Sequence, residues 1–155
     1  MAQTVKAKPD GYPTLTPYLV VRDGSAAIEF YQKVFGARLR MRLGRPDGKV
    51  GHAELGIGDS LVMLADEAPE HGAVAPAADG KGSSMTLHLY VDNADAVFRT
   101  ATGAGAAVVR AIETMFYGDR LGTVRDPFGH VWHISTHVED VSPEEIQRRV
   151  SAMKT

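Results

Sequence analysis

Six histidines stand among 155 residues, and three of them crowd one segment, DPFGHVWHISTH, at His130, His133 and His137. Imidazoles serve as metal ligands or as acids and bases near neutral pH. Their spacing argues against a local chelate. HVWHIST reads as a strand, so His130 and His133, an odd number of positions apart, point to opposite faces. His133 and His137 share a face but lie about 13 Å apart at ~3.3 Å per residue, too far for two ~2 Å bonds to one zinc ion. A metal at His133 would have to recruit its other ligands from other strands.

The same alternation brings further groups to one side of the sheet. In LTPYLVV (15–21), Leu15, Leu19 and Val21 should pack on helices, leaving Thr16, Tyr18 and Val20 on the other face. In MTLHLYV (85–91), Met85, Leu87, Leu89 and Val91 should pack, leaving Thr86, His88 and Tyr90. In VGHAELGIG (50–58), Ala53, Leu55 and Ile57 pack and His52 and Glu54 do not. One face therefore gathers Tyr18, His52, Glu54, Met63, His88, Tyr90 and His133, the residue types that line a recognition pocket. His52, His88 and His133 are expected to converge on one cavity with Tyr18 and Glu54. Glu54, His52 and His88 are the candidate acid–base groups. Phe116 and Tyr117 should stand at the mouth, and Asp119 and Arg120 should pair with each other or with backbone.

The elements that must position these groups come in a repeating order. After strand 15–21, GSAAIEFYQKVFG (24–36) has helical spacing, with Phe30 and Tyr31 as core, and strands follow at 37–45, 50–58 and 60–66. The order β-α-β-β-β then restarts, with a strand at 85–91, the helix NADAVFRTATGAG (93–105), and the strands AVVRAIETMF, LGTVRD and HVWHIST. Sliding the chain by 70 residues sets Thr16 on Thr86, Leu19 on Leu89, Val21 on Val91 and Leu64 on Ile134. Element order and apolar phase both match, as a duplication leaves them.

The expected fold is α+β: two such units with cupped mixed sheets, helices on the outer face, and a short C-terminal helix. A flexible arm occupies 1–13. A single domain spans 14–140, as repeat one (14–66), a mobile linker (67–83) and repeat two (84–137), and the C-terminal helix takes 141–155. Ser142, Pro143 and Glu145 form a capping-box start to that helix. Asp126-Pro127-Phe128-Gly129 has the composition of a tight turn that would set the register of the last two strands and aim His133.

Composition narrows the function classes. Net charge is −2 with both signs mixed along the chain, so there is no electrostatic footprint for nucleic acid. Cysteine is absent, which excludes disulfides, thiolate catalysis and thiolate-bound zinc and fits a reducing compartment. No apolar run approaches the ~20 residues of a membrane span. A cytoplasmic protein with no membrane or nucleic-acid partner is expected.

LTPYLVVRDGSAAIEFYQKVFGA, HAELGIGDSLVMLADE and MFYGDRLGTVRDPFGHVWHISTH resemble the vicinal oxygen chelate superfamily (glyoxalase, bleomycin resistance, dioxygenase). Within it, the GDR…RDPFGHVW string is similar to PhnB-like proteins. The resemblance implies paired units cupping a site, and a homodimer. It also implies that metal-dependent members place ligands on the first and fourth strands of each unit, at positions falling here on Thr16, Met63, Thr86 and His133. Only His133 is an ordinary ligand for Mn, Fe, Ni or Zn. Two readings follow. In the first, a small oxygenated or drug-like molecule is bound in the cup, with no cofactor and no metal expected. In the second, the protein is a lyase, isomerase or dioxygenase-like enzyme using His/Glu acid–base chemistry, with a divalent metal in a non-standard set such as His52, Glu54, His88 and His133.

Overall fold

A computed structural model describes residues 4–77, 81 and 83–153. The ends of the expected arm (1–3) and C-terminal helix (154–155), and residues 78–80 and 82 of the expected linker, lie outside the described residues. The chain divides into two compact units, with the boundary between Ala75 and Pro76.

The first unit contains β1 (Tyr18–Val21), α1 (Gly24–Phe35), β2 (Arg38–Gly44), β3 (Val50–Ile57) and β4 (Ser60–Asp66) in a four-stranded sheet of order β1-β4-β3-β2. The second repeats it with β5 (Thr86–Tyr90), α2 (Ala94–Gly103), β6 (Ala107–Thr114), β7 (Asp119–Arg125) and β8 (Val131–His137) in the order β5-β8-β7-β6, then adds α3 (Pro143–Ala152). β1 and β5 pair in parallel with β4 and β8, and all other pairs are antiparallel. The expected α+β fold of two mixed sheets is what forms.

The repeat extends to individual hydrogen bonds. Asp23 caps α1 through Ala26 N, and Asn93, 70 positions on, caps α2 through Ala96 N. The next donor, Gly24 N, reaches Asp66, while its counterpart Ala94 N reaches Thr136. Each helix start thus satisfies its orphan N–H groups in the same two ways.

In α1, Ala27, Ile28, Tyr31, Val34 and Phe35 lie on one buried face, and the helix packs on β2, β3 and β4 of a unit whose buried core includes Leu19, Val21, Ala53, Leu55 and Leu64. In the second unit, Val124, Trp132 and Ile134 form the corresponding floor. Leu15 and Met85 are exposed instead of packed, because both lie just outside the strands whose alternation was extended to include them.

Residues 67–75 of the expected linker are more structured than their composition suggests. Pro69–His71 forms one 3-10 turn, Ala68 bridges Ala73, and Glu67 accepts from Ala75 N. The expected free arm is also tied down, at Tyr12. Val150 of α3 and Met153 just after it stay exposed, and the helix is held by Arg149, which bonds Phe116 O and Glu139.

Candidate functional site

In the first unit, β3 and β1 carry a line of hydrogen-bonded groups on the sheet face opposite α1. Glu54 Oε2 lies 2.9 Å from His52 Nε2, and His52 Nδ1 lies 2.9 Å from the Tyr18 hydroxyl. The other oxygen, Oε1, accepts from the Tyr12 hydroxyl at 2.6 Å. Hydrogen bonds from His52, then Tyr12, outweigh the cost of burial and hold the Glu54 carboxyl below its ordinary value, so it stays ionised. A carboxylate only accepts, so His52 Nε2 carries the proton. In the neutral imidazole this leaves Nδ1 to accept from Tyr18. Burial, and next the Glu54 charge, push the Tyr18 hydroxyl above its usual value, which keeps it a donor.

Met63 stands opposite both Tyr18 and Glu54 in the ladders. A cavity of about 540 Å³ opens beside Tyr18, walled by Val20, Arg45, Gly51, Ala65 and His71. Three of the four candidates in this unit therefore form one bonded set, and Met63 supplies its apolar floor.

In the second unit, His88 and His133 are register partners, with ring centroids 5.6 Å apart and edge to face. The His88 ring also lies 4.9 Å from Tyr90. His133 Nδ1 is 2.7 Å from the Thr123 hydroxyl. Burial first, then His88 and Arg110, lowers the His133 pKa and favours the neutral ring. Tyr90 donates to Asp119 at 2.7 Å, and His137 bridges Asp119 (2.8 Å) and Asp140 (2.7 Å). A second cavity, about 530 Å³, is lined by Tyr90, Val91, Asp92, Thr136 and His137. Phe116 and Tyr117 occupy the β6–β7 turn, packed edge to face on each other.

Some expectations are corrected. Asp119 and Arg120 do not pair with each other. Adjacent strand residues face opposite ways, so Asp119 meets Tyr90 and His137 while Arg120 forms a bidentate pair with Asp95 of α2. The three clustered histidines meet different surroundings: His130 is buried at the turn, His133 bonds Thr123, and His137 bonds Asp119 and Asp140.

Alternation along single strands could not reveal Tyr12, Thr123, Asp119 or Asp140. The one available signal for Tyr12 was a lone aromatic in a polar arm, between Gly11 and Pro13.

The model of the glyoxalase/bleomycin resistance protein/dioxygenase superfamily matches residues 13–134. The chain belongs to this superfamily. An uncharacterized protein of Mycobacterium bovis is 44% identical over 143 residues, covering 90% of this chain and 93% of its own. The crystal structure of TioX from Micromonospora sp. ML1 matches with 30% identity and a TM-score of 0.63, over 80% of this chain and 98% of that one. The fosfomycin resistance protein FosX from Mesorhizobium loti shares the fold at 17% identity and a TM-score of 0.60, over 90% of this chain and 97% of that one.

Of the four positions at which ligands were expected, Met63 lies in β4, Thr86 in β5 and His133 in β8. Tyr18, not Thr16, stands opposite Met63, and His88, not Thr86, stands opposite His133. Thr16 precedes β1, and Thr86 faces Val131. In the first unit, Thr16 and Met63 offer only a hydroxyl and a thioether, poor ligands for Mn, Fe, Ni or Zn. Among the described residues, no three His, Asp or Glu side chains are grouped to hold an ion.

Proposed function

We propose that this protein binds a small oxygenated or drug-like molecule on the open faces of its sheets, without the metal site of the metal-dependent superfamily members. The observation that carries the reading is the Glu54–His52–Tyr18 line. A buried carboxylate orients an imidazole, which orients a phenol at the rim of a cavity of about 540 Å³. Such pre-bonded polar groups on rigid strands select ligand orientation at little entropic cost. His88, Tyr90 and His133 offer aromatic and imidazole surface of the same kind in the second unit.

Bleomycin and fosfomycin are the first probes, because the superfamily and one structural neighbour carry their names. Calorimetric titration of EDTA-treated protein should show binding by at least one of them, weakened about tenfold by Tyr18→Phe, the usual order for one well-placed hydrogen bond. A stoichiometric divalent ion with His133 in its shell, whose removal abolishes binding, overturns the reading.

A second reading is favoured by the order of the same three groups, because a carboxylate–imidazole pair is also how enzymes position a base. In a superfamily lyase, isomerase or dioxygenase-like enzyme, Glu54→Gln would abolish turnover while leaving binding intact. In a binding protein, no product forms with any variant. The proposal further takes the chain as a PhnB-like, cytoplasmic homodimer, supported by the GDR…RDPFGHVW string, the lack of cysteine and the exposed apolar residues of α3.

A further inference from the structure

Glu54 is only 4% exposed, and a carboxylate so placed needs partners for both oxygens. His52, two residues away on the same strand, takes one. The other is taken from 42 residues away, by Tyr12. Tyr12 lies in no strand or helix, and the arm first joins the sheet at Pro17, whose carbonyl accepts from Met63 N. Its neighbours Gly11, Pro13, Thr14 and Leu15 are exposed, and Tyr12 turns inward between them. Gly11, at φ +82°, makes that turn, and the Arg40 guanidinium sits 5.4 Å from the centre of the Tyr12 ring. One hydrogen bond and one cation–π contact thus fasten the Tyr12 side chain.

We propose that Tyr12 is a built-in occupant of the recognition site, and that the ligand there presents an aromatic hydroxyl which displaces Tyr12 from Glu54. This rests on the small-molecule reading and names its chemical class. Three features select the class. Glu54 is an acceptor only, so the arriving group must be a donor, which excludes carboxylates, phosphates and ketones. Arg40 lies over the ring, a position that rewards a flat aromatic face over an aliphatic alcohol or a sugar. The same guanidinium repels an ammonium, which removes amines, the other natural partner of a carboxylate. A neutral phenol meets all three demands, and Tyr12 is one. The arm then acts as a competitor, so apparent affinity is the intrinsic affinity scaled by the fraction of time the arm is away.

The probe is p-cresol, the tyrosine side chain without its backbone, titrated into the full chain and followed by NMR. Tyr12→Ala should bind it at least about tenfold more tightly than the unaltered chain, because the competing charge-assisted bond is gone. Tyr12→Phe should fall between, since its ring still packs under Arg40. Adding Glu54→Gln to Tyr12→Ala should remove the gain, and toluene should show none. In the unaltered chain, saturating p-cresol should move the Gly11 and Tyr12 amide resonances, a readout independent of any variant's folding. Equal p-cresol affinity with and without Tyr12, or equal binding of toluene, overturns the proposal. A non-phenolic ligand that binds both chains equally overturns the displacement by Tyr12 while leaving the small-molecule reading in place.

Discussion

Asp126 is the side chain on which the last hairpin depends most. Its Oδ1 accepts from the backbone N–H groups of Phe128 and His130, and its Oδ2 accepts from the indole of Trp132. All these groups are buried, so Asp126→Ala leaves three donors without this acceptor, at about 1–3 kcal/mol each before relaxation. A loss of roughly 3–5 kcal/mol is expected in urea denaturation, with Asp126→Asn costing less because one acceptor oxygen remains. At Asp119, burial alone would raise the carboxyl, but the hydrogen bonds from His137 and Tyr90 outweigh it and hold it low. His137 is raised by the same contact and by Asp140. The signs follow from linkage. A raised histidine stabilises fully below its unfolded value of 6.5 and loses that contribution as pH climbs through its folded value. A lowered aspartate stabilises above 3.8 and loses its contribution as pH falls through its folded value. The contact should therefore help most between about pH 4 and 6.5. In His137→Gln, the stability difference from the parent should shrink as pH rises past neutrality, and a constant difference from pH 5 to 9 would count against the assignment.

At the scale of elements, the turn before β8 shows how local chemistry aims a distant group. Gly129 has φ +95°, and a Cβ added there would lie 2.8 Å from Pro76 Cβ. Gly129→Val meets both the left-handed backbone penalty, roughly 1–2 kcal/mol, and an overpacking cost of about 1–3 kcal/mol. A drop of about 2–5 kcal/mol is expected in thermal or urea unfolding. The same turn sets the β7–β8 ladder in which Thr123 faces His133. The His133 ring resonances should therefore shift in folded Gly129→Ala, while those of His52, which belongs to the other unit, should stay in place. Unchanged His133 resonances would separate the turn from the site.

For the whole molecule, the open question is what covers the exposed apolar groups. β2 and β6 each form one edge of their sheets, and they expose Leu39, Met41 and Leu43, and Val108 and Val109. Unpaired edges and apolar surface favour association, and two-fold dimers are its commonest form. Light scattering at micromolar concentration should give about twice the chain mass of 16.7 kDa. A mass equal to one chain rejects the proposed homodimer.

Patterns that depend on near neighbours were legible in the sequence. Strand alternation separated Leu19, Val21 and Leu55 from Tyr18 and His52, because side chains alternate whatever the strand pairs with. Helix spacing, the turn at Asp126–Gly129 and the 70-residue repeat were legible for the same reason. The fold class followed from them. Register was not, because it depends on which residues of two strands lie side by side, and a shift of two positions keeps every face unchanged. Alternation thus left Thr16 and Tyr18 equivalent, and only β1–β4 pairing set Tyr18 opposite Met63. Contacts such as Tyr12 with Glu54 and Arg120 with Asp95 span 42 and 25 residues, and no local period encodes them. The sequence by itself determined which groups share a face, and tertiary packing decided which of them touch.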